Sequence, residues 1–244
     1  MPIYHTRQSA ESYGHSVGIL LLDFRMPFPP GDVANASTYN YPVIYKVVPG
    51  LDGDTCLNGA PEFTDNVAQA AKELVDQGVK GISSDCGFML QYQKSVADKV
   101  DVPVALSSLL QLPIIEHSLG ANTPVGVITA DSTNLTLDFL KRAGITPKNP
   151  LVIRGMQDEP EFFSAILDPK GTMDTDLITE ETIGVARKMR EEYPELGAIL
   201  LECSLLPPYA AAVQAALGLP VFDFVTLIDY MQSGLRQRRH QGWM

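Results

Sequence analysis

Apolar positions along this chain follow two rhythms that take turns. Short unbroken runs, at Val17 to Asp23 and Val125 to Thr129, predict strands covered on both faces. Longer stretches recur every three to four residues and predict helices. One carries Val67, Ala70, Ala71, Leu74 and Val75, opened by Thr64 as N-cap and closed by Gly78. Further strands are predicted at Val43 to Val48, from Val79, at Val102 to Ser107, at Leu151 to Arg154, from Ala198, and at Val221 to Phe224. Helices are predicted over Met89 to Val100, Gln111 to Leu119, a stretch ending at Ala143, Pro160 to Leu167, and after Pro207-Pro208. Another starts at Thr179, where Glu180 and Glu181 precede Arg187, Lys188 and Arg190 in the order a helix dipole favours. A final helix ends the chain. The proline-rich stretch Arg25 to Asp32 and the Gly/Asp-rich stretch Pro49 to Ala60 read as loops.

Strands alternating with helices predict βαβ units and a mostly parallel α/β architecture. An internal repeat then divides it. Cys86 and Cys203 each follow an acidic residue at the end of a predicted strand, and 117 residues separate them. The same separation links Pro103-Val104-Ala105 to Pro220-Val221-Phe222. A looser echo links Val17-Gly18-Ile19-Leu20 to Val125-Gly126-Val127-Ile128. The chain therefore reads as two pseudo-symmetric, doubly wound lobes, residues 1–112 and 113–221, each bringing one thiol to a cleft between them. Ligands of such sheets bind at the carboxyl ends of strands, where both cysteines fall.

Charge narrows the partners. A net charge of −11 disfavours nucleic acid and anionic membrane, which both need a basic face. The basic cluster Arg236-Gln237-Arg238-Arg239-His240 reads as a solvated end. No apolar run approaches the ~18 residues of a membrane span. Met1 to Ser16 lacks the apolar core of a secretory leader. Three cysteines is a sparse, odd count that fits a reducing compartment, the cytoplasm by default.

The thiols are the candidate chemistry. A thiolate is a usable base near neutral pH, and two of them across a cleft can remove a proton beside a carboxylate and return one. Asp85 and Glu202 either disfavour a thiolate by like charge, or turn to the opposite face by strand alternation or into a turn hydrogen bond. Cys56, in a loop without a partner pattern, reads as structural, and His117 as a core residue. Zinc spacing, a G-x-S-x-G elbow, G-x-G-x-x-G and Walker A loops do not occur, so metal, serine-nucleophile and nucleotide sites have no warrant.

At the two cysteines the chain resembles the aspartate/glutamate/hydantoin racemase superfamily. That resemblance implies a cofactor-independent enzyme acting on a small carboxylate, a homo-oligomer, and a last helix that returns to complete the first lobe with 222–244. It also implies that the loop around Thr129, Ser132 and Thr133 meets the substrate carboxylate. The chain departs from the amino-acid racemases at Gly87-Phe88 and Ser204-Leu205, where polar residues are usual. Other segments are similar to the algal dimethylsulfoniopropionate lyases of the same superfamily. They include Pro30-Gly31-Asp32, Asp85-Cys86-Gly87-Phe88-Met89, Ser107-Ser108-Leu109-Leu110-Gln111-Leu112-Pro113 and Glu202-Cys203-Ser204-Leu205-Leu206-Pro207-Pro208-Tyr209. This second resemblance implies β-elimination to acrylate and dimethyl sulfide, with racemisation of an amino acid or hydantoin as the alternative outcome. A small-molecule binder of another class is a third reading. For a methylated cation, Phe88, Tyr92, Tyr209, Asp85 and Glu202 are the expected contacts, and Arg25 is the expected fork for the carboxylate.

Overall fold

Val17–Leu21 (β1) lies between Val43–Val47 (β2) and Gly81–Ser84 (β3), with Val104–Ala105 (β4) beyond β3, and every pairing is parallel. Val125–Thr129 (β5) repeats that position between Leu151–Gly155 (β6) and Ala198–Leu201 (β7), with Val221–Phe222 (β8) beyond β7. The central strands β1 and β5 are the ones written as unbroken apolar runs, and their positions are buried almost throughout. This computed structural model describes residues 3–237 and 239–243. Met1, Pro2, Arg238 and Met244, which fall within the leader, tail and lobe expectations above, lie outside the described residues.

The helices are Gly53–Leu57 (α1), Thr64–Asp76 (α2), Gln93–Ala97 (α3), Leu112–Ser118 (α4), Leu137–Arg142 (α5), Pro160–Phe162 (α6), Thr175–Glu192 (α7), Ala210–Leu217 (α8) and Phe224–Leu235 (α9). The two halves use one packing device. A Cβ at Gly18 of β1 would fall 2.9 Å from Leu74 of α2, and one at Gly126 of β5 would fall 2.8 Å from Met189 of α7. Glycine at the second position of each central strand thus lets the long helix close on its sheet. One large core joins the sheets, with Leu20 and Ile82 in the same cluster as Val127 and Leu200. Phe224 and Ile228 of α9 pack with Val17 and Ile19 on the other face of the first sheet.

Several boundaries differ from the sequence expectation, each for a local reason. The stretch Pro49 to Ala60 is not all loop, because Asp52 accepts from the Thr55 N–H at 2.8 Å and caps α1. The helix expected over Met89 to Val100 is a 3-10 segment, Gly87–Tyr92, followed by the short α3. Pro160 to Leu167 is likewise split, with a π turn over Phe163–Leu167. The long helix begins at Thr175 rather than Thr179, since Asp174 accepts from the N–H groups of Asp176 and Leu177. Strand β8 stops at Phe222 because Asp223 is committed to a capping box with Thr226. Among the described residues no helix is long and apolar enough to cross a membrane.

Candidate active site

Each cysteine stands one residue beyond an acidic residue that the central strand holds by its backbone. The Asp85 N–H donates to Leu20 O at 3.0 Å, and the Glu202 N–H donates to Ile128 O at 2.7 Å. The chain then turns in both halves: the Met89 N–H donates to Cys86 O at 3.0 Å, and the Leu206 N–H to Cys203 O at 3.1 Å. The two strand ends are stitched together. Ser204 Oγ donates to Asp85 O, and Ser108 Oγ donates to Leu201 O at 3.1 Å. The 117-residue repeat in the sequence therefore becomes two matched turns facing one another.

Between them lies a cavity of about 240 Å³ whose wall includes both Cys86 and Cys203. That is below the ~300–1,000 Å³ of drug-sized ligand pockets and suits a small acid. Its apolar wall comes from Leu22, Phe24, Met26, Phe88, Ile166 and Leu205. Its titratable groups are the two thiols and the carboxyls of Asp52, Asp54, Asp85 and Glu202. Strand alternation does not turn the last two away, because β3 ends at Ser84 and β7 at Leu201.

Burial sets the protonation states. It raises the carboxyl of Asp85 to about 7, against the lowering effect of the Leu22 N–H that donates to its Oδ1 at 3.0 Å. It raises Glu202 to about 7, opposed by the Thr129 hydroxyl, which donates to Oε2 at 2.7 Å. The Cys86 thiol is pushed up by its hydrogen bond with Cys56, then by burial and by the charges of Cys56, Glu202 and Asp85. Burial and the Glu202 charge push Cys203 up too, while the Leu205 N–H partly offsets them. Like charge from these carboxyls, one of the expectations above, therefore adds to burial in disfavouring both thiolates.

Asp32, near enough for its charge to act on Cys203, is 1% exposed, with Oδ2 unpartnered among the described residues and its carboxyl raised by burial to about 8. Unfolded carboxyls release their protons near 4. The folded chain therefore holds more protons than the unfolded chain from about pH 4 up to about 8. The stability tied to Asp32, Asp85 and Glu202 is complete below that lower limit and is lost as pH rises through 7 and 8. Asp32→Asn, which keeps an acceptor for the Ala34 N–H, is expected to flatten this decline. Denaturant midpoints at about pH 6 and about pH 9 read it, and an unchanged difference between them contradicts it.

The structure brings Cys86, Gly87, Phe88, Cys203 and Ser204 to the cavity wall, together with Asp85 and Glu202. It does not bring Arg25, Thr129, Ser132, Thr133, Tyr92 or Tyr209 there. Arg25 is exposed in its stiff loop. Thr129 is spent on Glu202, Ser132 accepts from Gln157 Nε2 at 3.2 Å, and Thr133 closes a turn on Asp131 at 2.8 Å. Only Ala130 of that polar loop reaches the wall. Tyr92 donates to Ala60 O at 2.7 Å and Tyr209 to Met173 Sδ at 3.8 Å, so both rings are buried in packing. His117 is exposed rather than buried, with its ring against Pro113 O. Cys56 is fully buried but lies against Cys86, a contact that its loop-like sequence context concealed. Among the described residues no group of three or more His, Cys, Asp or Glu side chains is placed to hold a metal ion.

No family model matches the chain. It is 34% identical over 226 residues to the dimethylsulfoniopropionate lyase of Durusdinium sp. clade D, covering 90% of this chain and 74% of that protein. It is 36% identical to dimethylsulfoniopropionate lyase 7 of Emiliania huxleyi, covering 86% of this chain and 64% of that one. The fold is shared with arylmalonate decarboxylase and with a glutamate racemase. A variant of arylmalonate decarboxylase superposes with a TM-score of 0.60 at 18% identity, covering 90% of this chain and 92% of that one. Glutamate racemase from Bacillus anthracis gives 0.60 at 14%, covering 91% and 84%. Two parallel sheets facing across a two-thiol cavity, in a sequence this similar to the algal enzymes, place the chain in the dimethylsulfoniopropionate lyase family.

Proposed function

We propose that this chain eliminates dimethyl sulfide from dimethylsulfoniopropionate, using Cys86 and Cys203 as the acid–base pair of the shared cavity. One thiolate takes the α-proton, the freed electron pair forms the carbon–carbon double bond, and the β C–S bond breaks with its pair on sulfur. Acrylate and the thioether result. The lobes we assign are residues 1–112 with 223–244, and residues 113–222, one residue later than the sequence expectation because Phe222 pairs with Leu200 in the second sheet. In support, the wall draws Leu22 to Phe88 from the first and Ala130 to Leu205 from the second.

The observation that carries this reading is the charge of the wall. Four carboxyl groups line the cavity, and its lining residues include no lysine, arginine or histidine. A sulfonium offsets that field, and its positive charge favours the thiolates that burial and the neighbouring carboxyls disfavour. The rings of Phe24 and Phe88 add faces suited to a methylated cation. A dicarboxylate such as glutamate or aspartate would add to the repulsion.

A substrate panel tests this. Acrylate release from dimethylsulfoniopropionate is expected, with no change in optical rotation for glutamate, aspartate or hydantoins. Racemisation of any of these without acrylate release would replace elimination by the racemase reading, and saturable binding without turnover would leave a binder.

A further inference from the structure

An elimination leaves the enzyme holding a proton that neither product carries away. The thiol that accepted it must lose it before the next turnover, a demand a racemase escapes by handing a proton back to its product. The cavity holds one group shaped for that task.

Glu202 is 1% exposed and lines the same wall as both thiols. Its two oxygens differ. Oε2 accepts from Thr129, whereas Oε1 has no hydrogen-bond partner among the described residues. Its counterpart in the first half, Asp85, is instead tied to the backbone through the Leu22 N–H. Gly87 makes room for the free oxygen, since a Cβ at that position would overlap Oε1 and the carboxyl carbon. The Glu202 charge acts on Cys86 and on Cys203, so the carboxylate senses either sulfur. At about 7, its pKa lets it take up and release a proton near neutrality.

We propose that Glu202 accepts the abstracted proton from the thiol and delivers it to solvent, with Thr129 as the residue that positions it. The S–H bond breaks, an O–H bond forms on Oε1, and the thiolate is restored. The carboxylic acid then loses its proton to water as the products leave. This inference rests on the elimination reading. The titratable groups that line the cavity with Glu202 are Asp52, the N-cap of α1, Asp54 in its first turn, Asp85 and Cys86 after β3, and Cys203 next to it in sequence.

Rapid mixing of the full chain with dimethylsulfoniopropionate, followed by steady-state pH profiles, tests it. In Glu202→Gln, a burst of about one acrylate per site is expected, followed by a steady rate lower by about 100-fold. A merely structural loss would remove the burst as well. Thr129→Val removes the hydroxyl that lowers the carboxyl pKa, so the acid limb of kcat is expected to move to higher pH. Three results overturn the proposal: Glu202→Gln at the parent steady rate, a slow variant without a burst, or an unmoved limb in Thr129→Val. A parent chain that releases no acrylate overturns the elimination reading first, and this inference with it.

Discussion

Cys203→Ala is expected to lower acrylate release by about 10³-fold, and Cys86→Ala by a similar factor, within the 10²–10⁴ typical of a lost acid–base group. Such a loss corresponds to about 4 kcal/mol of transition-state stabilisation. The size follows from the site. Both sulfurs lie on the wall of one cavity, and the Asp85 and Glu202 carboxyls beside them are held near neutrality, too weakly basic to take the substrate's α-proton in place of a thiolate. Both changes keep the backbone hydrogen bonds of the two turns and those through Ser108 and Ser204, and remove only the Leu205 N–H contact to the Cys203 sulfur or the Cys56 contact to Cys86. Circular dichroism of the variants should therefore match the parent. Turnover within about tenfold of the parent in both variants would contradict the thiol mechanism.

Gly87→Ala is expected to cost both stability and activity. A Cβ there overlaps the Glu202 carboxyl group and lies 2.9 Å from the Glu202 carbonyl oxygen, so moving the side chain alone does not relieve it. Overpacking of this kind costs about 1–3 kcal/mol. The strand end carrying Cys203 must shift with it, and turnover falls accordingly. Gly184→Ala in α7 is the matched comparison, because nothing lies within 4 Å of its Cβ. Its helix position gives an expected gain of about 0.5–1 kcal/mol instead. Denaturant midpoints for the pair check this, and equal midpoints would show that Glu202 does not occupy the space above Gly87.

The sheets and the paired thiols were legible in the sequence because regular structure repeats regularly. In a parallel βαβ unit the strand end is fixed by where the apolar run stops, so two cysteines in one repeat register had to fall on equivalent turns. Side chains that reach the site from loops were not legible. Arg25, Thr133 and Tyr209 have suitable chemistry, but exposure, a turn on Asp131 and packing against Met173 direct them elsewhere. Phe24 and Met26 reach the wall without any periodic signal, and Ile166 reaches it from the π turn that replaces part of the expected helix. Asp85 and Glu202 defeated the alternation rule because each lies just past the last paired residue of its strand. Asp32 and Cys56 belong to segments whose polar, turn-rich composition reads as surface, yet both are buried beside the site.

Proton NMR of dimethylsulfoniopropionate incubated with the chain in deuterium oxide is the most direct measurement. The expected spectrum shows acrylate and dimethyl sulfide growing in equal amounts, and neither appears when both cysteines are replaced. Substrate whose α-hydrogens exchange for deuterium while no acrylate forms would mean that proton abstraction occurs here without elimination.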